Sequence, residues 1–213
     1  MFYQKEEEMD KALRFGDVLK GYISVIPKIK EPFLDKLNYD YNLNIELPFF
    51  SVALSPCCSI GEKKISLSPL VPVRRTFFDN PYFDGDLTRI NLKMKPINAF
   101  SPEKWEEKSA VEKADILKND SVYTLLEFFI YMENDLFPEY PIRKHGETVK
   151  IKYYMIDFRN IYRIDCEKIE SANKVPLDSK CLQLTVETRA ELRDKIAYYF
   201  ARIPEEDKVL LEE

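Results

Sequence analysis

Covalent chemistry in this chain would fall first to its cysteines, two of which are adjacent at Cys57-Cys58. A nucleophilic thiol needs a lowered pKa, usually from a histidine or another cation beside it. The chain has a single histidine, His145, in a polar stretch with no partner visible in the sequence. A disulfide between neighbours demands distorted peptide geometry. A buried cysteine packs as a small hydrophobe. Cys57 and Cys58 are therefore read as reduced, buried and structural.

Other groupings could hold ligands. Asp79, Asp84 and Asp86 offer carboxylate oxygens to a divalent cation. They lack calcium-loop spacing and fall in the turn signatures Asp79-Asn80-Pro81 and Asp84-Gly85-Asp86, so an acidic turn is the preferred reading. Glu62-Lys63-Lys64 has the E-x-K form of metal-dependent nucleases but sits in an expected turn. Asp157 and Arg159, two apart on an expected strand, share one face and can pair or bind a ligand. Arg189 and Arg193, with Arg202 beyond, could meet phosphates at a helix end. Glu187, Glu191 and Asp194 offset that charge and favour a solvated face. With 5 glycines and no glycine-rich phosphate loop, neither a cofactor nor a metal is expected.

The elements that must position these residues centre on residues 46–73. Phe49 to Leu54 is a short apolar run, and Ile65 to Val73 alternates, as paired strands do. Pro48, Pro56, Pro69 and Pro72 lack amide donors and suit strand starts, edges or bulges. Gly61-Glu62-Lys63 fits a hairpin turn. Upstream, Phe15 to Leu19 opens a first strand. Residues 28–44 form a long excursion between strands. Downstream, Leu87 to Met94 reads as a further strand.

The second half reads as more helical. Ser101-Pro102 is a cap. Asp120-Ser121 caps a second helix, whose Val122, Leu125, Leu126, Phe129 and Leu136 follow helical spacing up to Pro138. Val149 to Asp157 alternates as a strand. A last helix begins near Thr185, with a capping-box pattern at Thr188 to Glu191 and a stripe of Leu192, Ile196, Tyr199 and Phe200.

The totals narrow the class. A hydrophobic fraction of 45% against 32% charged is that of a folded rather than a disordered chain. The net charge of −5 gives no overall field favouring nucleic acid, although a local basic patch is compatible with it. Four cysteines without regular spacing, and an acidic start without a signal-like core, predict a cytoplasmic protein. No apolar run reaches membrane-span length, so no membrane partner is expected.

The first half resembles the MazF/PemK-like family of small SH3-like barrels, mostly dimeric endoribonuclease toxins. Arg14-Phe15-Gly16-Asp17-Val18 matches the opening strand, and Pro48, Val52 to Pro56 and Ile65 to Val73 match the strands after it. This covers about a third of the chain. The basic residue that such toxins carry before the proline is absent, because Ile45-Glu46-Leu47 precede Pro48. The chain looks still more similar to an uncharacterised bacterial family of toxin-barrel-like proteins. Cys57-Cys58-Ser59-Ile60 resembles that family's cysteine-containing turn, with Ser59 in place of aspartate. Arg189 to Leu192 and Arg202-Ile203-Pro204 resemble its closing helix.

With these elements, the resemblance predicts an α+β fold in a single domain over residues 1–213. A bulged SH3-like β-barrel would span residues 14–98. Helices at 101–137 and 185–201, with one returning strand at 149–157, would elaborate it over residues 99–213. It also implies a bacterial conflict, phage-defence or regulatory setting, with a protein partner or homodimer and possible RNA. Metal-independent RNA cleavage needs a base near the 2′-hydroxyl and a cation at the phosphate. Asp17, Lys20, Arg74 and Arg75 are the residues that could supply them. With the toxins' basic residue missing, a non-catalytic or weakly RNA-binding module, contacting RNA through Lys20, Arg74 and Arg75, is preferred. An endoribonuclease toxin is the alternative.

Overall fold

The computed structural model describes residues 1–10, 12–20, 49–55, 64–79, 83, 85–94, 104, 106–118, 123, 125–144, 146–165 and 180–201. Cys57, Cys58, His145, Asp84 and Arg202 lie outside them, as do the caps expected at Ser101-Pro102 and Asp120-Ser121.

The architecture is α+β, with antiparallel strands. The strands are β1 (Val18–Lys20), β2 (Phe50–Ala53), β3 (Lys64–Pro72), β4 (Phe128–Tyr131), β5 (Tyr140–Lys144), β6 (Glu147–Ile151), β7 (Tyr154–Asp157), β8 (Tyr162–Asp165) and β9 (Lys180–Leu182). The helices are α1 (Ala110–Lys118) and α2 (Val186–Ala201), with 3₁₀ turns at Glu6–Glu8, Arg75–Asp79 and Leu87–Asn91. The main sheet runs β4-β7-β3-β2-β1-β9, with β8 also on β3, while β5 and β6 form a separate hairpin. Among the described residues this sheet is open: no pairing joins β4 to β9.

The long strand β3 is the spine. One edge pairs with β2, from Phe50↔Leu70 to Ala53↔Leu67. The other edge pairs first with β8 and then with β7. Leu67 faces Tyr162 while Val71 faces Met155, so four positions along β3 correspond to seven on the partner. The extra residues form a bulge between β7 and β8, closed by Asn160 N–H donating to the Asp157 carbonyl at 2.9 Å. Bulges bend a strand and re-aim its side chains. This one carries Arg159.

Two apolar clusters flank the sheet. One gathers Phe2, Val18, Phe50, Val52, Leu70, Leu184 and Leu192; the other gathers Val73, Phe77, Phe78, Leu87, Ile90 and Met94. β4 is the wall between them. Phe129 and Tyr131 enter the first, and Phe128 and Ile130 the second.

That placement corrects the helix expected up to Phe137. A strand buried on both faces is apolar at every position, so its sequence has no period of two and can mimic a helical stripe. The outer edge of β4 is covered by one side chain. Asn91 Nδ2 donates to the Ile130 carbonyl at 2.8 Å, and Ile130 N–H donates to Asn91 Oδ1 at 2.7 Å. A buried amide thus stands in for a neighbouring strand.

Three smaller expectations also change. Leu87 to Met94 is not a strand. Asp86 Oδ1 accepts from Thr88 N–H at 2.9 Å and from Thr88 Oγ1 at 2.7 Å, capping a 3₁₀ turn over Leu87–Asn91. The stretch 149–157 is divided. Its first part pairs with β5, and only Tyr154–Asp157 joins the main sheet. The last helix starts where expected, but its cap is Thr185, whose Oγ1 accepts from Thr188 N–H at 3.3 Å. Thr188 is already inside the helix.

Candidate functional site

The exit of β3 is fixed before its arginines begin. Val73 N–H donates to Tyr140 Oη at 3.0 Å, and that hydroxyl donates in turn to the Tyr153 carbonyl. The β5–β6 hairpin thereby anchors the end of β3. Arg74 comes next and opens the 3₁₀ turn, with Phe77 N–H donating to its carbonyl at 3.1 Å. The turn lays Phe77 edge-on to Phe128, centroids 5.3 Å apart.

Asp157, at the end of β7, is the hub. Its Oδ1 accepts from the Arg159 amide at 3.0 Å and from Arg159 Nε at 2.8 Å. Its Oδ2 accepts from Arg159 Nη2 at 2.6 Å and from Arg74 Nη2 at 3.3 Å. The carboxylate is buried, whereas the side chains of Arg74 and Arg159 keep 47% and 46% of their surface. Both guanidiniums also lie over Phe128, with centres 4.5 and 5.3 Å from the ring centroid. Burial opposes ionisation of Asp157, but the Arg159 hydrogen bonds and the two positive charges outweigh it and hold its pKa below the ordinary value.

Of the residues proposed for RNA contact, Arg74 and Arg75 are both exposed. The residue that joins Arg74 on a shared carboxylate is Arg159, not Arg75. Lys20, also exposed, ends β1, with its ammonium 5.9 Å from the centroid of Phe49. β1 and β3 are each antiparallel to β2 between them, so Lys20 and the arginines lie at the same end of the sheet, two strands apart. The sequence contains the Asp157–Arg159 pair in plain view. It carries no signal that a bulge would bring the pair to Arg74.

Asp17 cannot serve as a base toward an outside substrate. It is fully buried, and its Oδ2 meets Lys180 Nζ at 2.7 Å and the Arg14 amide at 2.7 Å. Lys180 Nζ also donates to the carbonyls of Asp10 at 2.9 Å and Ala12 at 2.8 Å, and to Gln183 Oε1 at 2.8 Å. This is a structural clasp between the N-terminal segment and β9.

A second buried lysine escapes sequence reading altogether. Lys195 on α2 is completely buried, donates to the Ile90 carbonyl and lies 5.3 Å from the Tyr123 ring centroid. Burial pushes its pKa down to about 7, against the pull of Glu127. Lysines are rarely enclosed, so nothing in its sequence neighbourhood separates it from the wet face of the helix.

Among the described residues no group of three or more His, Cys, Asp or Glu could hold a metal ion, and no helix is long and apolar enough to cross a membrane. Comparison with models of known protein families, with curated proteins and with solved structures yields no match to this chain.

Proposed function

We propose that this chain is a non-catalytic, RNA-contacting module that works within a protein assembly of a bacterial conflict or regulatory system, on a sheet related to the MazF/PemK-like barrels. The observation that carries this reading is the bond between Arg74 and Asp157. A ribonuclease must present a cation where the scissile phosphate gains negative charge. Here Arg74 shares one buried carboxylate with Arg159, which cancels one of the two positive charges and holds both guanidiniums in place. The other member of the postulated machinery, Asp17, is sealed against Lys180. The remaining groups suit contact with a phosphate better than cleavage beside one. The net charge of −5 keeps any such contact local and leaves affinity to a protein partner.

The test incubates purified protein with a long single-stranded RNA, with and without EDTA, beside the Arg74→Ala/Arg75→Ala double variant. Intact RNA throughout, with binding weakened in the double variant, is the expected result. EDTA-resistant cleavage that the double variant loses would install the toxin reading instead. EDTA-sensitive cleavage would point to carboxylates and a metal.

A further inference from the structure

We infer that Arg74 and Arg159 together form a preorganised two-guanidinium clamp for a backbone phosphate of single-stranded nucleic acid, with Asp157 and Phe128 as positioning residues. The inference rests on the RNA-contacting reading and specifies the site of that contact. The cluster holds more positive charge than the carboxylate needs. Arg159 alone satisfies Asp157, supplying its amide, Nε and Nη2 at 2.6 to 3.0 Å. Arg74 adds one long contact at 3.3 Å. The fold does not need a second guanidinium there, yet it fixes one.

The means of fixing it are specific. The hairpin pins the exit of β3 through Tyr140, the 3₁₀ turn begins at once, and the Phe128 ring supports both cations. A guanidinium has five N–H donors. Arg159 uses two on the carboxylate and Arg74 one, while both side chains remain about half exposed. Two planar forks held by one anchor suit a phosphate's several oxygens, and holding them in advance lowers the ordering cost of binding.

The charges around the clamp have to permit an anion. Asp157 removes one of the two positive charges. Glu127 also acts on Arg159. Arg75, the next residue, is exposed and adds a further cation. The clamp reads phosphate alone, so single-stranded DNA of the same sequence should bind within a few-fold of RNA.

The experiment measures binding of a fluorescent single-stranded RNA, and of the matching DNA, by anisotropy over a range of salt. The proteins compared are the wild type, Arg74→Ala, Arg159→Ala, Arg159→Lys, Asp157→Asn and, as a charge-matched control on α1, Lys113→Ala. Each arginine-to-alanine change should weaken binding about tenfold and lower the salt slope by about one, and Lys113→Ala should do neither. Arg159→Lys should keep the slope but lose affinity, since the charge stays and the fork goes. Asp157→Asn should weaken binding although both arginines remain. If Arg159→Ala fails to fold, as read by circular dichroism, Arg159→Lys decides. Wild-type RNA binding that survives Arg159→Ala in a folded protein would overturn the clamp and leave the RNA reading standing. Failure to bind either nucleic acid, with tripolyphosphate still shifting the Arg74 and Arg159 side-chain NMR signals, would keep the clamp and sink the RNA reading. Binding of none of these probes would overturn both.

Discussion

Asp17 and Asp157 share local chemistry but have opposite surroundings. Each carboxylate accepts the backbone N–H of a nearby arginine, Arg14 in one case and Arg159 in the other. Each is buried and each meets a cation. Around Asp17 the cation is buried too. Lys180 has four acceptors, and the whole group lies between the N-terminal segment and β9. Around Asp157 the cations are two arginines that remain half in solvent. The first arrangement closes a structure. The second holds charge at the surface. An ion pair therefore indicates a site only when its far side can still reach something.

The largest separation between the two regions should appear in stability. Lys180→Met leaves Asp17 buried without its paired ammonium and strips the carbonyls of Asp10 and Ala12 of a donor. Breaking one side of a buried pair costs about 3–5 kcal/mol. Arg74→Ala removes an exposed, long contact and should cost about 0–1 kcal/mol. Urea denaturation of both variants gives the comparison, and equal losses would erase the distinction.

Gly16 sharpens the same contrast from the backbone side. Its φ of 87° lies in the left-handed region, and it turns the chain so that Asp17 enters the clasp. A Cβ there would stand 2.7 Å from Leu184 Cδ1 and 3.2 Å from Leu192 Cδ2. Gly16→Ala combines unfavourable φ with overpacking and should cost about 3 kcal/mol. RNA affinity should be unchanged in the folded fraction. A loss of affinity in folded Gly16→Ala would mean that the two regions are coupled.

The two regions also differ in how far they can be read from sequence. β2 and β3 are legible as an apolar run and an alternating run, and α2 from its stripe of Leu192, Ile196 and Tyr199, although its cap is Thr185 rather than Thr188. β4 is not, because Phe128 to Tyr131 face two cores at once. The Leu87–Asn91 turn is not, because a single aspartate side chain, that of Asp86, decides it. Asp157 and Arg159 are recognisable as a pair from their spacing. Their meeting with Arg74 depends on a register step between β7 and β8, which no local pattern encodes. The Asp17–Lys180 clasp joins residues far apart in the chain and is equally silent.

Lys195 tests what burial does to a lysine whose acceptor is a neutral carbonyl. Its folded pKa is about 7 and its ordinary value 10.5. Between those values the unfolded chain holds a proton that the folded chain has released, so stability rises with pH. The rise should be about 2 kcal/mol from pH 7 to 9. Above that range the Cys181 thiol, whose pKa is raised by burial, works the other way. Lys195→Met should remove the rise. A wild type whose stability is flat over this range would mean that Lys195 stays charged.

The smallest effect is the most direct test of the comparison. Burial raises the Asp17 pKa despite the pull of Lys180, whereas the Asp157 pKa is lowered. The two carboxylates should therefore act on acid stability with opposite sign. For Asp157 the unfolded state takes up a proton first, so its contribution is present above the ordinary pKa and is lost as pH falls through the lowered one. For Asp17 the folded state takes up the proton first, so acidification through the raised pKa favours the fold relative to neutral pH. Asp157→Asn should then flatten the decline in melting temperature between pH 5 and 3, and Asp17→Asn should steepen it. Carbon-13 NMR of the carboxyl groups should show Asp17 titrating above the ordinary range and Asp157 below it. If both titrate on the same side, the closed clasp and the open cluster are electrostatically alike, and exposure of the arginines alone distinguishes them.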